Sequence, residues 1–273
     1  MRTSTLFSRK AGKPNQDKAH PSAFRAAGAR LVAVLFWLAV WQGLSLWIGQ
    51  DILLVSPLTA FQTLLGLMGQ GSFYRAVAGS LGRVLWGFFL GALLGTALAA
   101  LAYALPLTEV LFTPLMQTAK ATPVASFVIL ALVFIRARYL SVLTAFLMVL
   151  PILYTNILTG LKEVDWRLME MARVFRMRPF ARIKGIYLPA AYPYFLSGCA
   201  LSLGMSWKAG VAAEVIGLPD GAVGTALYQA KIFFSTPEMF AWTTAIILLS
   251  VGLERAVTAL VRWLNRRLEG ENP

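Results

Sequence analysis

The chain has 273 residues, 58% of them apolar and only 14% charged, against about 25% charged in soluble domains. A spanning helix takes roughly 20 apolar residues, so this composition describes a polytopic membrane domain and leaves no room for a large soluble catalytic one. Lysine and arginine outnumber aspartate and glutamate 25 to 12, an excess that reads as membrane topology rather than as a nucleic-acid surface. A single cysteine, Cys199, excludes an intrachain disulfide, and a single histidine, His20, excludes a multi-histidine metal centre.

Residues 1 to 30 hold seven basic residues against one acid, Asp17, with no sustained apolar periodicity, and read as a solvated basic arm. Leu31 to Ile48 is longer than a signal-peptide core and lacks a small-x-small cleavage site, so it is expected to stay as the first span. Ser56 and Pro57 have the form of an N-cap followed by proline at the first helical position, and Leu58, Phe61, Leu65 and Met68 recur at helical spacing. About 14 residues cannot cross a bilayer, which makes this an interfacial amphipathic helix ending near Gly69 and Gly71. The second span is expected to begin near Arg83. Gly87, Gly91 and Gly95 then fall on one helix face, a stripe that admits close packing of a neighbouring helix.

A third apolar segment, about Val110 to Ile135, contains Pro114, Lys120 and Pro123 and is expected to be a bent or discontinuous helix. A cleaner span follows from about Leu140 to Leu158. Residues 161 to 187 lose hydropathy and carry seven basic residues and three acids. The fifth span is placed at about Pro189 to Trp207, a mixed segment covers Lys208 to Glu238, and the sixth span runs from about Phe240 to Leu260. The arm, the 161 to 187 loop and the segment from Arg262 to Arg267 hold seven, seven and three of the 25 basic residues. Six spans put all three on one face, and the positive-inside rule makes that face the cytoplasm, with both termini on it.

Within the basic loop Glu170, Met171 and Ala172 are followed, after thirteen intervening residues, by Ile186, Tyr187, Leu188 and Pro189. The stretch resembles the EAA loop of inner-membrane permeases from binding-protein-dependent ABC importers, whose pattern is E-A-A, three residues, G, nine residues, I-x-L-P. Met171 stands at the second position of the motif, in place of its first alanine, and Arg176 stands where the family has its glycine. Glycine there would allow a positive-φ turn between two short helices, so the break is expected to fall to Pro179, which disfavours helical geometry at Arg178 and can start the next helix. Ser80-Leu81-Gly82-Arg83, Thr122-Pro123-Val124-Ala125 and Val211-Ala212-Ala213-Glu214 are similar to recurring segments of the nitrate, sulfonate and taurine group of these permeases.

The resemblance spans about Leu31 to Arg267 and implies an all-α, six-span type I importer subunit of a bacterial inner membrane, with no covalent chemistry and no cofactor of its own. ATP and Mg would sit on separate ATPase subunits. The implied partners are those ATPases, a periplasmic or lipid-anchored solute-binding protein, and a second permease copy, most simply an identical one. The loop would dock on the ATPase through Glu170 and nearby basic residues such as Arg176, over an apolar footing of Met171, Ala172 and Phe175, with Ile186, Leu188 and Pro189 completing the motif. The implied solute is a small organic or inorganic anion of the nitrate, sulfonate or taurine kind; a thiamine pyrimidine precursor or related metabolite is the alternative.

Charged groups at membrane depth generally face protein or a water-filled path. Lys120, Lys208 and Glu214 are the candidates for a solute path. Equally, Lys208 and Glu214 could form a structural lock, or the lysines could snorkel. Glu254 and Arg255 read as interfacial anchors, and Cys199 as a small packing residue. An ion-gradient-driven transporter would find support only in the broken third span, since no inverted repeat is visible. A membrane enzyme would need clustered carboxylates, histidines or a nucleophile-base pair, and only isolated acids are present.

Overall fold

A computed structural model describes residues 23–50 and 52–269 as a helical bundle without strands. Residues 1–22 of the expected basic arm, and residues 270–273 of the cytoplasmic tail expected at 268–273, lie outside the described residues. Helix α1, Ala23–Ile48, takes in the last eight residues of that arm. Ala23, Ala26, Ala27 and Ala29 are strong helix formers, and they carry the helix beyond the apolar stretch.

Helix α2, Pro57–Met68, has the expected start: the Ser56 hydroxyl accepts the Thr59 N–H at 3.1 Å and Pro57 follows it. Leu64 of α2 is buried in one apolar cluster with Phe73 and Trp242, whose rings stack at 5.1 Å. The next helix, α3, runs Gly71–Ala104 and so begins twelve residues before Arg83. The broken third segment is α4, Pro106–Ala121, and α5, Val124–Leu132, bent by 98° at Thr122–Pro123. Pro114 is absorbed within α4, and it is the second proline that breaks the helix.

After a short turn at Ala137–Tyr139 comes α6, Leu140–Lys162, then the short helices α7, Trp166–Val174, and α8, Pro179–Arg182. A single π-helical turn, Ile183–Tyr187, joins α8 to α9, Leu188–Gly217. Finally α10, Val223–Ile232, precedes α11, Thr236–Glu269. Among the described residues, four helical segments are long and apolar enough to cross a membrane: Leu31–Ile48, Gly71–Ala104, Ala137–Lys162 and Thr236–Leu260. The α4–α5 pair counts as a fifth if its two limbs are one broken span. At 30 residues α9 has ample length, about 45 Å, but Ser202, Ser206, Lys208 and Glu214 make it less apolar. It also outruns the Pro189 to Trp207 expectation by ten residues at its end.

Helix α6 is the central post, packed along α3 on one side and α9 on the other. The glycine stripe makes the first contact possible. A Cβ at Gly87 would collide with the Val142 carbonyl; one at Gly91 would sit 2.9 Å from both the Phe146 carbonyl and the Val149 Cβ, and one at Gly95 would lie 2.8 Å from the Leu150 carbonyl. Across the second contact, Gly198 and Gly160 clear space for Leu153 and Tyr194. The resulting core holds Ala99, Val149, Leu153 and Tyr154 with no exposed surface.

Candidate functional site

The loop between α6 and α9 is a helix–turn–helix. Asp165 caps α7 by accepting the Arg167 N–H at 2.9 Å. At the other end the Arg176 N–H donates to the Arg173 carbonyl at 3.0 Å and the Met177 N–H to the Ala172 carbonyl at 2.9 Å, the paired bonds of a Schellman C-cap. That cap needs a left-handed residue, and Arg176 supplies it at φ +48°. The expectation that Pro179 would replace the glycine turn is therefore corrected: the turn stays at the glycine position despite its side chain, and Pro179 only opens α8, with Arg178 extended before it.

Side chains of the motif divide into two sets. Glu170, Met171, Phe175, Arg176, Leu188 and Pro189 are exposed, whereas Ala172 is 0% exposed and Ile186 is buried. Ala172 is thus no footing for a partner: it and Ile186 are covered by the chain itself. The exposed apolar surface is larger than sequence spacing suggested, because Trp166, Val174 (78% exposed), Ile183 and Phe180 join Phe175 (74%). These residues lie among Arg167, Arg173, Arg178 and Lys184, all exposed. Large apolar side chains interleaved with arginines, outside the candidate spans, form a surface suited to a protein partner.

The loop is tied directly to the bundle. Tyr187, in the π turn, meets the Tyr103 ring of α3 edge-on at 5.4 Å. Lys162 at the end of α6 pairs with Glu109 at the start of α4. A displacement of the loop therefore reaches α3 through Tyr187 and passes along α6 and α9, which the loop joins, with α6 in turn paired to α4.

At the opposite end of the bundle, Glu214 is 0% exposed and fully engaged. Its Oε2 accepts the Ser80 hydroxyl at 2.6 Å and the Gly224 N–H at 3.2 Å, while Oε1 accepts Arg83 Nε and the Ser141 hydroxyl, each at 3.1 Å. Arg83 Nη2 lies 3.1 Å from the same carboxylate and also donates to the Gly221 carbonyl at 3.1 Å. The Ser80 oxygen in turn accepts the Val223 N–H at 2.9 Å. One carboxylate thereby ties together α3, α6, α9 and α10. Two segments singled out on sequence, Ser80 to Arg83 and Val211 to Glu214, meet here; the third, Thr122 to Ala125, forms the elbow between α4 and α5.

This geometry corrects two expectations. Glu214 does not pair with Lys208, and with no accessible surface and both oxygens occupied it lines no solute path. The two residues are six apart on one continuous helix, a spacing that points them to different faces. Lys208 pairs instead with Glu254 of α11 at 3.6 Å, both side chains substantially exposed, so Glu254 is more than an isolated anchor. Lys120, in the last turn of α4, donates to the Thr155 hydroxyl of α6 at 2.9 Å and has no carboxylate partner among the described residues. No group of three or more histidine, cysteine or carboxylate side chains able to hold a metal occurs among the described residues.

Residues 87–270 match the family model described as the binding-protein-dependent transport system inner membrane component. The chain is 32% identical over 244 residues to a Bacillus subtilis (strain 168) protein named as the aliphatic sulfonates transport permease protein SsuC, covering 88% of this chain and 86% of that one. It is 27% identical over 206 residues to the bicarbonate transport system permease protein CmpB of Synechococcus elongatus, covering 74% and 73%. Among solved structures, a chain of the inward-facing MetNI methionine ABC transporter superposes with a TM-score of 0.61 at 17% identity, covering 70% of this chain and 95% of that one.

Proposed function

The chain belongs to the inner membrane components of binding-protein-dependent transport systems, and from that premise we propose how its parts work. It is a permease subunit of an ABC importer, a multi-pass inner-membrane protein that works with ATPase subunits and a solute-binding protein. In our reading two identical copies form the pore, both termini and the 161–187 loop face the cytoplasm, and ATP with Mg is held by the partner ATPases. The observation that carries this is the exposed apolar and arginine-rich surface of α7 and α8, on the loop that joins α6 to α9 and touches α3 through Tyr187. ATPase closure pushes that surface, the helices re-pack, and access to the central path alternates between the two sides of the membrane.

Glu170 and the neighbouring arginines give polar contacts in this docking, and Met171, Val174, Phe175 and Phe180 the apolar footing. The solute is a small molecule with an oxyanion group, a reading supported by relatives named for sulfonate, bicarbonate and nitrate transport. Lys120, at the elbow and free of a carboxylate partner, raises the local concentration of such a solute; Lys208 contributes less because Glu254 offsets its charge. Co-purification of the ATPase with the permease, together with ATP-driven uptake after collapse of the proton gradient, tests the reading. Glu170→Arg and Phe175→Asp should lose both ATPase and uptake while the permease remains folded. A permease whose uptake follows the proton gradient and ignores ATP would refute it.

A further inference from the structure

Two cation–carboxylate pairs join α9 to its neighbours, and they are built in opposite ways. Glu214 is sealed from solvent and accepts four hydrogen bonds, with Arg83 at 3.1 Å. Lys208 and Glu254 stand 3.6 Å apart, their side chains 66% and 47% exposed. Neither of these charged groups makes a hydrogen bond among the described residues, so one contact, longer than a hydrogen bond, holds them. The backbone prepares that contact. A Cβ on Gly204 would lie 2.7 Å from Glu254 Oε1 and 3.2 Å from its Cγ, so the carboxylate rests against bare helix one turn from Lys208.

Both groups lie at membrane depth. At 1.5 Å per residue, Glu254 falls about 9 Å inside the Leu260 end of the Thr236–Leu260 span, and Lys208 about 13 Å inside the Gly217 end of α9. Charges within the hydrocarbon core, about 30 Å thick, face protein or a water-filled path, and the chain leaves both of these side chains substantially uncovered. This face of α9 and α11 is therefore turned away from lipid. A permanent link between the two helices would gain from the burial and hydrogen bonds that Glu214 has, and this pair has neither. An open recess of about 450 Å³, lined by Glu254 with Val251, Arg255, Thr258 and Ala259, gives the carboxylate room to leave the lysine. Arg255 has no carboxylate partner among the described residues.

We propose that Glu254 is the exchangeable counterion of Lys208: it neutralises the ammonium while the path is empty and yields it to the oxyanion of a passing solute, moving into the recess it shares with Arg255. The inference rests on the permease reading, in which Lys208 has a minor part because its charge is offset, and it makes that offset the means of release. An unpaired ammonium at this depth is costly to the empty transporter and would hold an anion tightly. A competing carboxylate relieves both, so the solute is bound weakly and let go.

The test uses the transporter assembled with its ATPase in nanodiscs, both faces open to water, carrying Cys199→Ala and Met205→Cys; Met205 is exposed one turn before Lys208. Reaction of the introduced thiol with 2-sulfonatoethyl and 2-(trimethylammonio)ethyl methanethiosulfonate reports water access and local charge together. Glu254→Gln should raise the ratio of anionic to cationic rates about three- to tenfold by freeing Lys208, Lys208→Gln should lower it by a similar factor, and the two combined should restore it. Inorganic sulfate should slow the anionic reagent at about tenfold lower concentration in Glu254→Gln than with the pair intact, and should lose this effect once Lys208 is also replaced. A thiol that neither reagent reaches overturns the proposal, because lipid or the second copy then covers this face. A rate ratio blind to both substitutions, or sulfate protection unchanged by Glu254→Gln, overturns it too, and so does loss of the folded transporter on Glu254→Gln alone: the pair is then a fixed link. ATP-driven uptake with the pair intact tests the parent reading separately, since a transporter that keeps it while failing these measurements remains an ABC permease without an exchangeable counterion.

Discussion

Replacing Arg83 by methionine should unfold the end of the bundle at which Glu214 sits. The substitution keeps most of the apolar stem and removes the guanidinium, leaving a carboxylate with no accessible surface held only by Ser80, Ser141 and the Gly224 N–H. Breaking a buried pair from one side costs about 3–5 kcal/mol. At roughly 2–4 °C of thermal midpoint per kcal/mol for a domain of this size, the loss is on the order of 6–20 °C. Adding Glu214→Gln should recover much of it, because the amide oxygen still accepts from Ser80 or Gly224 and no charge is left buried. Glu214→Gln alone turns an amide donor toward Arg83 and should be nearly as damaging as Arg83→Met. The assay is the monodisperse fraction of detergent-purified protein after heating through a temperature series. Near-parental stability of Arg83→Met, or a double variant that loses the sum of the two single losses, would refute the argument.

Other consequences are simpler to state. Val174→Asp should leave thermal stability within about 0.5 kcal/mol of the parent, as surface changes do, and abolish retention of the ATPase on the purified permease; Ala172→Trp should show the reverse order of effects, losing about 1–3 kcal/mol of stability by overpacking, and retained stability there would contradict its burial. Arg176→Gly should raise the thermal midpoint slightly, since a Cβ in the left-handed region costs about 1 kcal/mol; a lowered midpoint would count against the Schellman turn. Gly91→Val should prevent recovery of folded protein by forcing α3 from α6, whereas Gly82→Ala, with no atom near its Cβ position, should be recovered at the parental yield. Lys120→Met should reduce uptake of ethanesulfonate per folded transporter with the ATPase still bound, and undiminished uptake removes Lys120 from the solute path.

The readable parts of the molecule were those whose signal is local. The E-M-A to I-Y-L-P spacing located the loop, because motif residues on a helix–turn–helix are fixed by short-range geometry. The four-residue glycine interval located the α3–α6 contact for the same reason. The polar content of α9 concealed its length: Lys208 and Glu214 look like the end of a span when counted as hydropathy, but the helix continues and Glu214 faces packed neighbours. That one error moved Lys208 to a helix end and suggested Glu214 as its partner. Nothing in a single sequence states that Arg83, 131 residues away from Glu214, is the nearer cation. Ala172 and Phe175 are likewise three apart in sequence and both apolar, and only the fold shows that one is buried and the other bare.

Helix α9 starts at the π turn beside the docking surface and ends three residues beyond Glu214, where Ser80, Arg83 and Ser141 fasten it. Mechanically it is a lever with its fulcrum at the fastened end. Over an arm of roughly 40 Å between Leu188 and Glu214, at 1.5 Å per residue, a tilt of about 5° displaces the loop end by about 3–4 Å. Small angular play at the fulcrum thus becomes a stroke as wide as a side chain at the exposed face of the loop. Run in the opposite direction, a displacement of that size at the loop corresponds to a rotation of only a few degrees about the Glu214 end.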